Sequence, residues 1–334
     1  MKIRTSEASD KEEVEMSKED FLIRDFRKSD LDDLLNLLPK CFSKEFEISG
    51  FDADHMRDMI NRAYGTTGRL FLASTHLLRK EPIRFLVADV NNKVVGTTMV
   101  NSVGKVGYIS AVMVSPDYRR KGIATTLVKR GVEYIQGRRM ERAVLHVVST
   151  NAPAIGVYSK LGFEAFEQVA HLVGDAATMP PRGEAGEVET RPFRGADLDE
   201  VYDLCRASED PNHLRVFGLS KGQLKMPFWL RMFRYLTEER IVAVRAGKIV
   251  GSVLAAYTTP KEAGNISSIQ VRPEDRSHGI EKALAESAID EIRRGGVERI
   301  RAMVPTTKPE LAETLNSLGF REAMVLVGMF RETR

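Results

Sequence analysis

Apolar positions in this chain follow two rhythms that take turns. Ile83 to Val90, Val94 to Val100, Ile109 to Val114 and Ala143 to Val148 are apolar runs of strand length. Asn91-Asn92-Lys93 separates the first two, as a hairpin turn would. Phe21 to Phe26 predicts an earlier strand, and Phe163 to about Val173 a later one. Between the strands the spacing changes. Leu31, Leu34, Leu35 and Leu38 follow the cap residues Ser29-Asp30 at helical intervals. Ile123, Leu127, Gly131 and Ile135 recur every four residues and so share one helix face. Asn151 to Leu161 predicts a further helix, closed by Gly162. A helical stretch is expected from about Asp54 to Tyr64, while residues 65 to 80 show no assignable rhythm.

After residues 174 to 188, which contain Met179-Pro-Pro-Arg-Gly183, the pattern starts again. Arg191-Pro-Phe-Arg-Gly-Ala-Asp197 echoes Arg24-Asp-Phe-Arg-Lys-Ser-Asp30. Val271 to Ile280 echoes Val114 to Ile123, and Leu318-Gly-Phe320 echoes Leu161-Gly-Phe163. The pairs Pro116/Pro273, Arg119/Arg276, Gly122/Gly279 and Gly162/Gly319 share one offset, 157. A constant offset across such a span marks a tandem duplication of one fold. The expected division is a solvated tail over 1–20, a first copy over 21–173, a linker over 174–188 and a second copy over 189–334.

Composition narrows the classes. A formal charge of +3 over 334 residues, with no long basic block, gives no reason to expect nucleic acid. Two cysteines, Cys41 and Cys205, do not make a disulfide framework, so a reducing cytoplasm is expected. No apolar stretch has the length of a membrane span, and residues 1 to 20 are polar and of mixed charge. The histidines and cysteines show no metal-ligand spacing, so no metal is expected.

The candidate chemistry lies in Val114-Ser-Pro-Asp-Tyr-Arg-Arg-Lys-Gly-Ile-Ala-Thr125. A strand ends here and a helix begins. A helix start leaves backbone N–H groups unpartnered, and its dipole favours negative charge. Gly122 and Ala124 keep bulk away from those amides, while Arg119, Arg120 and Lys121 add positive charge. The stretch reads as a seat for a diphosphate. It lacks the Lys-Ser/Thr ending of a P-loop and the three spaced glycines of a dinucleotide fingerprint.

It does match Arg/Gln-x-x-Gly-x-Gly/Ala, the pyrophosphate motif of the GNAT (Gcn5-related) N-acetyltransferases. Asn151-Ala-Pro-Ala-Ile-Gly-Val-Tyr-Ser-Lys-Leu-Gly-Phe163 resembles that family's second motif. The resemblance implies an α/β fold: two tandem GNAT domains, each a twisted, mixed, mostly antiparallel sheet flanked by helices. It implies acetyl-CoA as co-substrate. By the same resemblance the backbone of Val112, Met113 and Val114 would hold the pantetheine arm. The turn amides of Arg120, Lys121, Gly122, Ile123, Ala124 and Thr125, with Arg119 beside them, would hold the pyrophosphate. The strands bearing Val114 and Val148 would splay to leave a slot. Tyr158 stands where the family places the acid that protonates the departing thiolate.

His146 occupies a strand position where some relatives carry a base, and an imidazole suits that task. It shares a strand face with Val144 and Val148, so a packed core histidine is the competing reading. Tyr108 could instead relay the proton through water. Asn151 would fix its turn or contact the cofactor.

The second copy departs at the chemically capable positions. Ala124 becomes Glu281, His146 becomes Met303, Asn151 becomes Lys308 and Tyr158 becomes Leu315. The expectation is a working first copy and a degenerate second one. Direct acyl transfer to a primary amine, on a small molecule or a peptide, follows from the resemblance. A non-catalytic acyl-CoA-binding regulatory module is the alternative, and transfer to oxygen or sulfur a further one. The Met226 to Leu236 segment reads as core, with an apolar wall at the acceptor site or an interface as the alternative, and the resemblance implies that Phe71 to Arg79 lies in the acceptor-binding region.

Overall fold

The computed structural model describes residues 21–41, 57, 61, 83–103, 105–183, 188–224, 236–258, 263–276 and 278–334. The tail, the segments 65–80 and 71–79, Met226 to Tyr235, and all of 54–64 except the helical Arg57 and Asn61 lie outside the described residues.

The first copy supplies β1 (Leu22–Asp25), α1 (Leu31–Cys41), β2 (Ile83–Val90), β3 (Lys93–Val103), β4 (Val106–Val114), α2 (Ile123–Gly137), β5 (Arg142–Val148), α3 (Ala152–Lys160) and β6 (Glu164–Asp175). The second supplies β7 (Glu189–Pro192), α4 (Leu198–Ser208), α5 (Pro211–Phe217), β8 (Leu236–Arg245), β9 (Lys248–Thr258), β10 (Gly264–Val271), α6 (Ile280–Arg294), β11 (Arg299–Pro305), α7 (Pro309–Ser317) and β12 (Arg321–Glu332). Among these described elements no helix is long and apolar enough to cross a membrane.

The local reasons for these elements are legible. Asn91 and Asn92 both take positive φ, 52° and 63°, which is the twist a two-residue hairpin turn requires. Ile123, Leu127, Gly131 and Ile135 are all buried against the sheet. The echo at the start of each copy has a shared physical basis. Arg24 clamps Asp30 through two bonds of 2.6 and 2.9 Å, while the Arg27 amide donates to the same carboxylate at 2.7 Å. Arg191, Arg194 and Asp197 repeat the clamp at 2.7, 2.9 and 2.7 Å. Each clamp fixes the turn that leads into the first helix of its copy.

All twelve strands form one sheet, in the order β1-β2-β3-β4-β5-β12-β6-β11-β10-β9-β8-β7. The last strand of each copy is exchanged. β12 lies beside β5, pairing Gly328 with His146, and β6 lies beside β11, pairing His171 with Met303. The two exchanged strands pair with each other at the centre. The expected boundary at residue 173 falls inside β6. Residues 174 and 175 continue β6, and Ala176, Met179 and Val188 are buried in the core of the second copy. α1 packs on one sheet face through Leu34, Leu35 and Leu38, against Val87 and Met113. α2 and α3 cover the other face. α5, from the second copy, packs on the α1 side, where Val216 and Phe217 meet Phe166, Phe330 and Val144.

Candidate active site

β4 and β5 run parallel but pair only at Val106–Arg142, Gly107–Ala143 and Tyr108–Val144. Beyond Tyr108 the described residues of the two strands part. A bulge in β4 helps to part them. Thr97 faces Met113 and Met99 faces Ser110, so Ala111 and Val112 oppose the single residue Thr98. Ala111 adopts φ 50°, which turns the local backbone. Val112 belongs to this bulge, and Met113 and Val114 follow it along the split. The Val114 carbonyl accepts from Arg119 Nε at 3.2 Å and from Cys41 Sγ at 3.4 Å, which ties the strand end to the turn.

The turn after β4 is left-handed and open. Arg120 takes φ 65° and Gly122 φ 82°, both left-handed. A Cβ at Gly122 would meet nothing within 4 Å, so the space before its backbone is open. The Thr126 amide donates to the Gly122 carbonyl at 3.0 Å, so the helix's own ladder begins there and does not use the amides of the preceding turn. Arg119, Arg120, Lys121, Gly122 and Thr125 are exposed, Ala124 is half-buried and Ile123 anchors the turn in the core. Asn151 caps α3, its Oδ1 accepting from the Ala154 amide at 3.2 Å. Tyr158 is buried edge-to-face against Phe163, ring centroids 6.2 Å apart. Its hydroxyl finds no protein partner among the described residues. Burial pushes its phenol up to about 12.

His146 lies on β5 two residues past its last pair with β4, where the strands separate. The structure gives it partners on both ring nitrogens. The Tyr108 hydroxyl bonds Nδ1, and Glu167 Oε1 bonds Nε2 at 3.0 Å. The other carboxylate oxygen, Oε2, lies 2.9 Å from Nδ1 of His213. The chain Tyr108–His146–Glu167–His213 thus runs from β4 through β5 and β6 to α5, with Tyr108 stacked on His146 and Phe166 at its edge. Burial would raise Glu167, but the bonds from His146 and His213 outweigh it and hold the carboxyl down at about 2. Burial would lower His213, but the bond and charge of Glu167 outweigh it and raise the imidazole. Burial, followed by the charge of Glu167, raises the Tyr108 phenol. Sequence reasoning had neither Glu167 nor His213 among the site residues. One signal was available: Glu167 becomes Met324 at the same offset that turns His146 into Met303.

The second copy keeps the frame. β10 and β11 pair only from Gly264–Ile300 to Ile266–Ala302, Ser268 repeats the strained bulge at φ 51°, and Gly279 repeats the open left-handed turn at φ 71°. What differs is the filling. Gln270, at the place of Met113, bonds Ser208 and Glu209, and Lys308 Nζ donates to the Ser208 carbonyl at 3.2 Å.

Each copy thus carries a split parallel pair and a left-handed glycine turn, and the two copies exchange their final strands to make one tandem α/β fold. The sequence profile of the Acetyltransferase (GNAT) family matches residues 31–163 and 200–320, more than half of the chain, and the protein belongs to that family. It is 31% identical over 156 residues to an uncharacterised N-acetyltransferase of Methanocaldococcus jannaschii, a match covering 45% of this chain and 63% of that protein. It is 42% identical over 62 residues to a mycothiol acetyltransferase of Saccharomonospora viridis, covering 19% of this chain and 20% of that one. Each match spans under two thirds of the relative's own length. Among solved structures, a GCN5-related N-acetyltransferase from Sphaerobacter thermophilus superposes with a TM-score of 0.66 at 20% identity, covering 95% of this chain and 96% of that one. A tandem GNAT protein from the clavulanic acid biosynthesis pathway gives 0.60 at 14% identity, over 94% and 99%. These likenesses establish the two-copy fold.

Proposed function

We propose that this protein transfers an acyl group, acetyl in the simplest case, from coenzyme A to a primary amine, and that the first copy does the chemistry. The observation that carries this reading is the Tyr108–His146–Glu167 chain at the point where β4 and β5 part, with methionines in place of His146 and Glu167 in the second copy. The residues present fit the co-substrate. The open turn at Gly122 has room, bare amides and cationic neighbours for a diphosphate. The split between β4 and β5 gives an extended arm a path.

The acceptor ammonium must lose a proton before its nitrogen can attack. Nδ1 of His146 takes the Tyr108 proton while the Tyr108 oxygen takes one from the amine. The chain is Tyr–His–Glu, so the phenol contacts the acceptor and the imidazole stores the charge. The thioester C–S bond breaks as the amide bond forms, the leaving sulfur takes the Tyr158 proton, and the second proton shed by the acceptor nitrogen passes to solvent. Solvent then restores Tyr158 and removes the extra proton from His146. A non-catalytic acyl-CoA sensor would not require this proton chain.

Two glycines with the same conformation separate the copies experimentally. Gly122→Val and Gly279→Val impose similar backbone strain, about 1–2 kcal/mol each. Gly122→Val should weaken CoA binding in calorimetry by at least about tenfold, the loss of one or two charge-assisted bonds. Gly279→Val should leave it unchanged. The reverse pattern would assign the cofactor to the second copy. Release of free thiol from acetyl-CoA, screened against spermidine, glucosamine and peptides with free amino termini, should then find an amine that accelerates it. Acceleration by alcohols or thiols alone would redirect the acceptor class.

A further inference from the structure

Gly328 belongs to β12, the last strand of the second copy, yet it sits between His146 and Glu167 in one row across the sheet. Backbones two strands apart lie about 9–10 Å from each other. His146 and Glu167 nevertheless touch at 3.0 Å. They do so by leaning toward each other over the bare backbone of Gly328. A Cβ there would come within 2.7 Å of Glu167 Cγ, 2.9 Å of Phe166 Cε1 and 3.0 Å of His146 Nε2. Gly328 is not among the positive-φ residues, so its backbone does not call for glycine. The space between the two side chains does.

A bulge lies beside this row. Gly328 pairs with Glu167 and Met329 with Ala165, so Phe166 is the extra residue. The equivalent row of the second copy inverts the arrangement. His171 takes the place of Gly328, between Met303 and Met324. Both the bridge and the gap that permits it are therefore particular to the first copy.

The bridge has a chemical consequence. An ionised carboxylate only accepts, so Glu167 puts the imidazole proton on Nε2. Nδ1 keeps its lone pair and faces the Tyr108 hydroxyl, which donates to it. Without Glu167 the ring could reverse that order. His213 secures the second carboxylate oxygen from the far side. Around the pair stand Tyr108 from β4 and His213 from α5, with Glu209 and Asp210 behind His213.

We propose that the second copy completes the proton acceptor of the first: Gly328 opens the path through which Glu167 fixes the His146 ring, and His213 holds Glu167 there. All three are positioning residues. The inference rests on the reading of His146 as the group that receives, through Tyr108, the charge of the proton the acceptor gives up.

The test uses the full chain with ¹⁵N-labelled histidine. Ring nitrogen resonances report the tautomer, and His146→Gln identifies the His146 signals by their loss. Wild type should show Nε2 protonated and Nδ1 bare. Glu167→Met, which installs the residue found at the matching place in the second copy, should abolish that preference. Its kcat for the amine found by the screen should fall about 10- to 100-fold, the scale of a misplaced catalytic group. Its KM for acetyl-CoA should stay within about twofold. Glu167→Gln should restore the tautomer, because its amide oxygen still accepts. Gly328→Ala should behave like Glu167→Met. If the alanine disrupts folding, Glu167→Met still decides, since it leaves the exchanged strand intact. A Glu167→Met protein with the wild-type tautomer and kcat would overturn the inference. A His146→Gln protein with wild-type turnover would overturn the base reading instead, and the tautomer data would still report whether Glu167 orients the ring.

Discussion

Tyr158→Phe is expected to slow acetyl transfer by about a hundredfold or more while leaving CoA affinity within about twofold. A positioned acid contributes on that scale. The substitution removes only the hydroxyl. The ring stays in its apolar setting against Phe163, in the cluster with Leu145, Val147 and Val327, so folding should change little. The pH profile adds a sign. Burial pushes the phenol from its ordinary 10 up to about 12. A group raised in this way contributes stability that is fully present below pH 10 and is lost as pH rises toward 12. Tyr158 therefore stays protonated across the whole neutral and mildly alkaline range. Any alkaline fall in kcat between pH 7 and pH 10 must come from another group. The experiment compares thiol release from acetyl-CoA for wild type and Tyr158→Phe over that range, with CoA binding followed by calorimetry. An unchanged kcat would remove Tyr158 from the chemistry. Equal losses of rate and CoA affinity would make it a residue that shapes the slot.

Much of the frame was legible from residue spacing because it depends on local rules. The Asn91–Asn92 turn, the buried stripe of α2 and the glycine before it each follow from a few neighbouring residues. The duplication was legible because two copies at one offset test each other. The strand exchange was not. β6 and β12 are copies of one strand, each twelve residues long, so length does not decide which of them lies beside β5 and which beside β11. Nothing in the pattern of a single strand says which partner it takes. The same blindness hid Glu167 and His213. Alternation puts Glu167 on a sheet face, but its neighbour across Gly328 is set by the exchange. His213 reaches the site only because α5 crosses from one copy to the other. His146 and Tyr108 were found as separate candidates, and the structure joins them through one hydrogen bond. Paired changes would have been the better guide. His146/Met303, Glu167/Met324 and Gly328/His171 all differ between copies at the shared offset, and all three positions lie in one row.

Ending the chain at Gly319 should unfold both copies, not only the second. In two domains joined end to end, removing a final strand would spare the first domain. Here the missing strand is β12, which lies between β5 and β6 at the centre of the sheet. Its removal leaves one edge of β5 and one edge of β6 without ladder partners, in the interior of the protein. β6 cannot repair both defects. If it moved beside β5 it would abandon β11, where it pairs from Val169 to Asp175. The lost apolar burial is also large. Phe320, Val327, Met329 and Phe330 are all buried, and at about 1.5–3 kcal/mol each they account for about 6–12 kcal/mol. That matches the whole stability of an ordinary domain, about 5–15 kcal/mol. Hydrogen exchange and chemical unfolding of the truncated chain give the measurement. The expected result is no cooperative transition, with protection lost in β5 as well as in β11. A truncated chain that retains protected β2, β3, β4 and β5 amides and a cooperative transition would show that the first copy folds without the strand it borrows. It would then also have to hold His146 without Gly328 beside it.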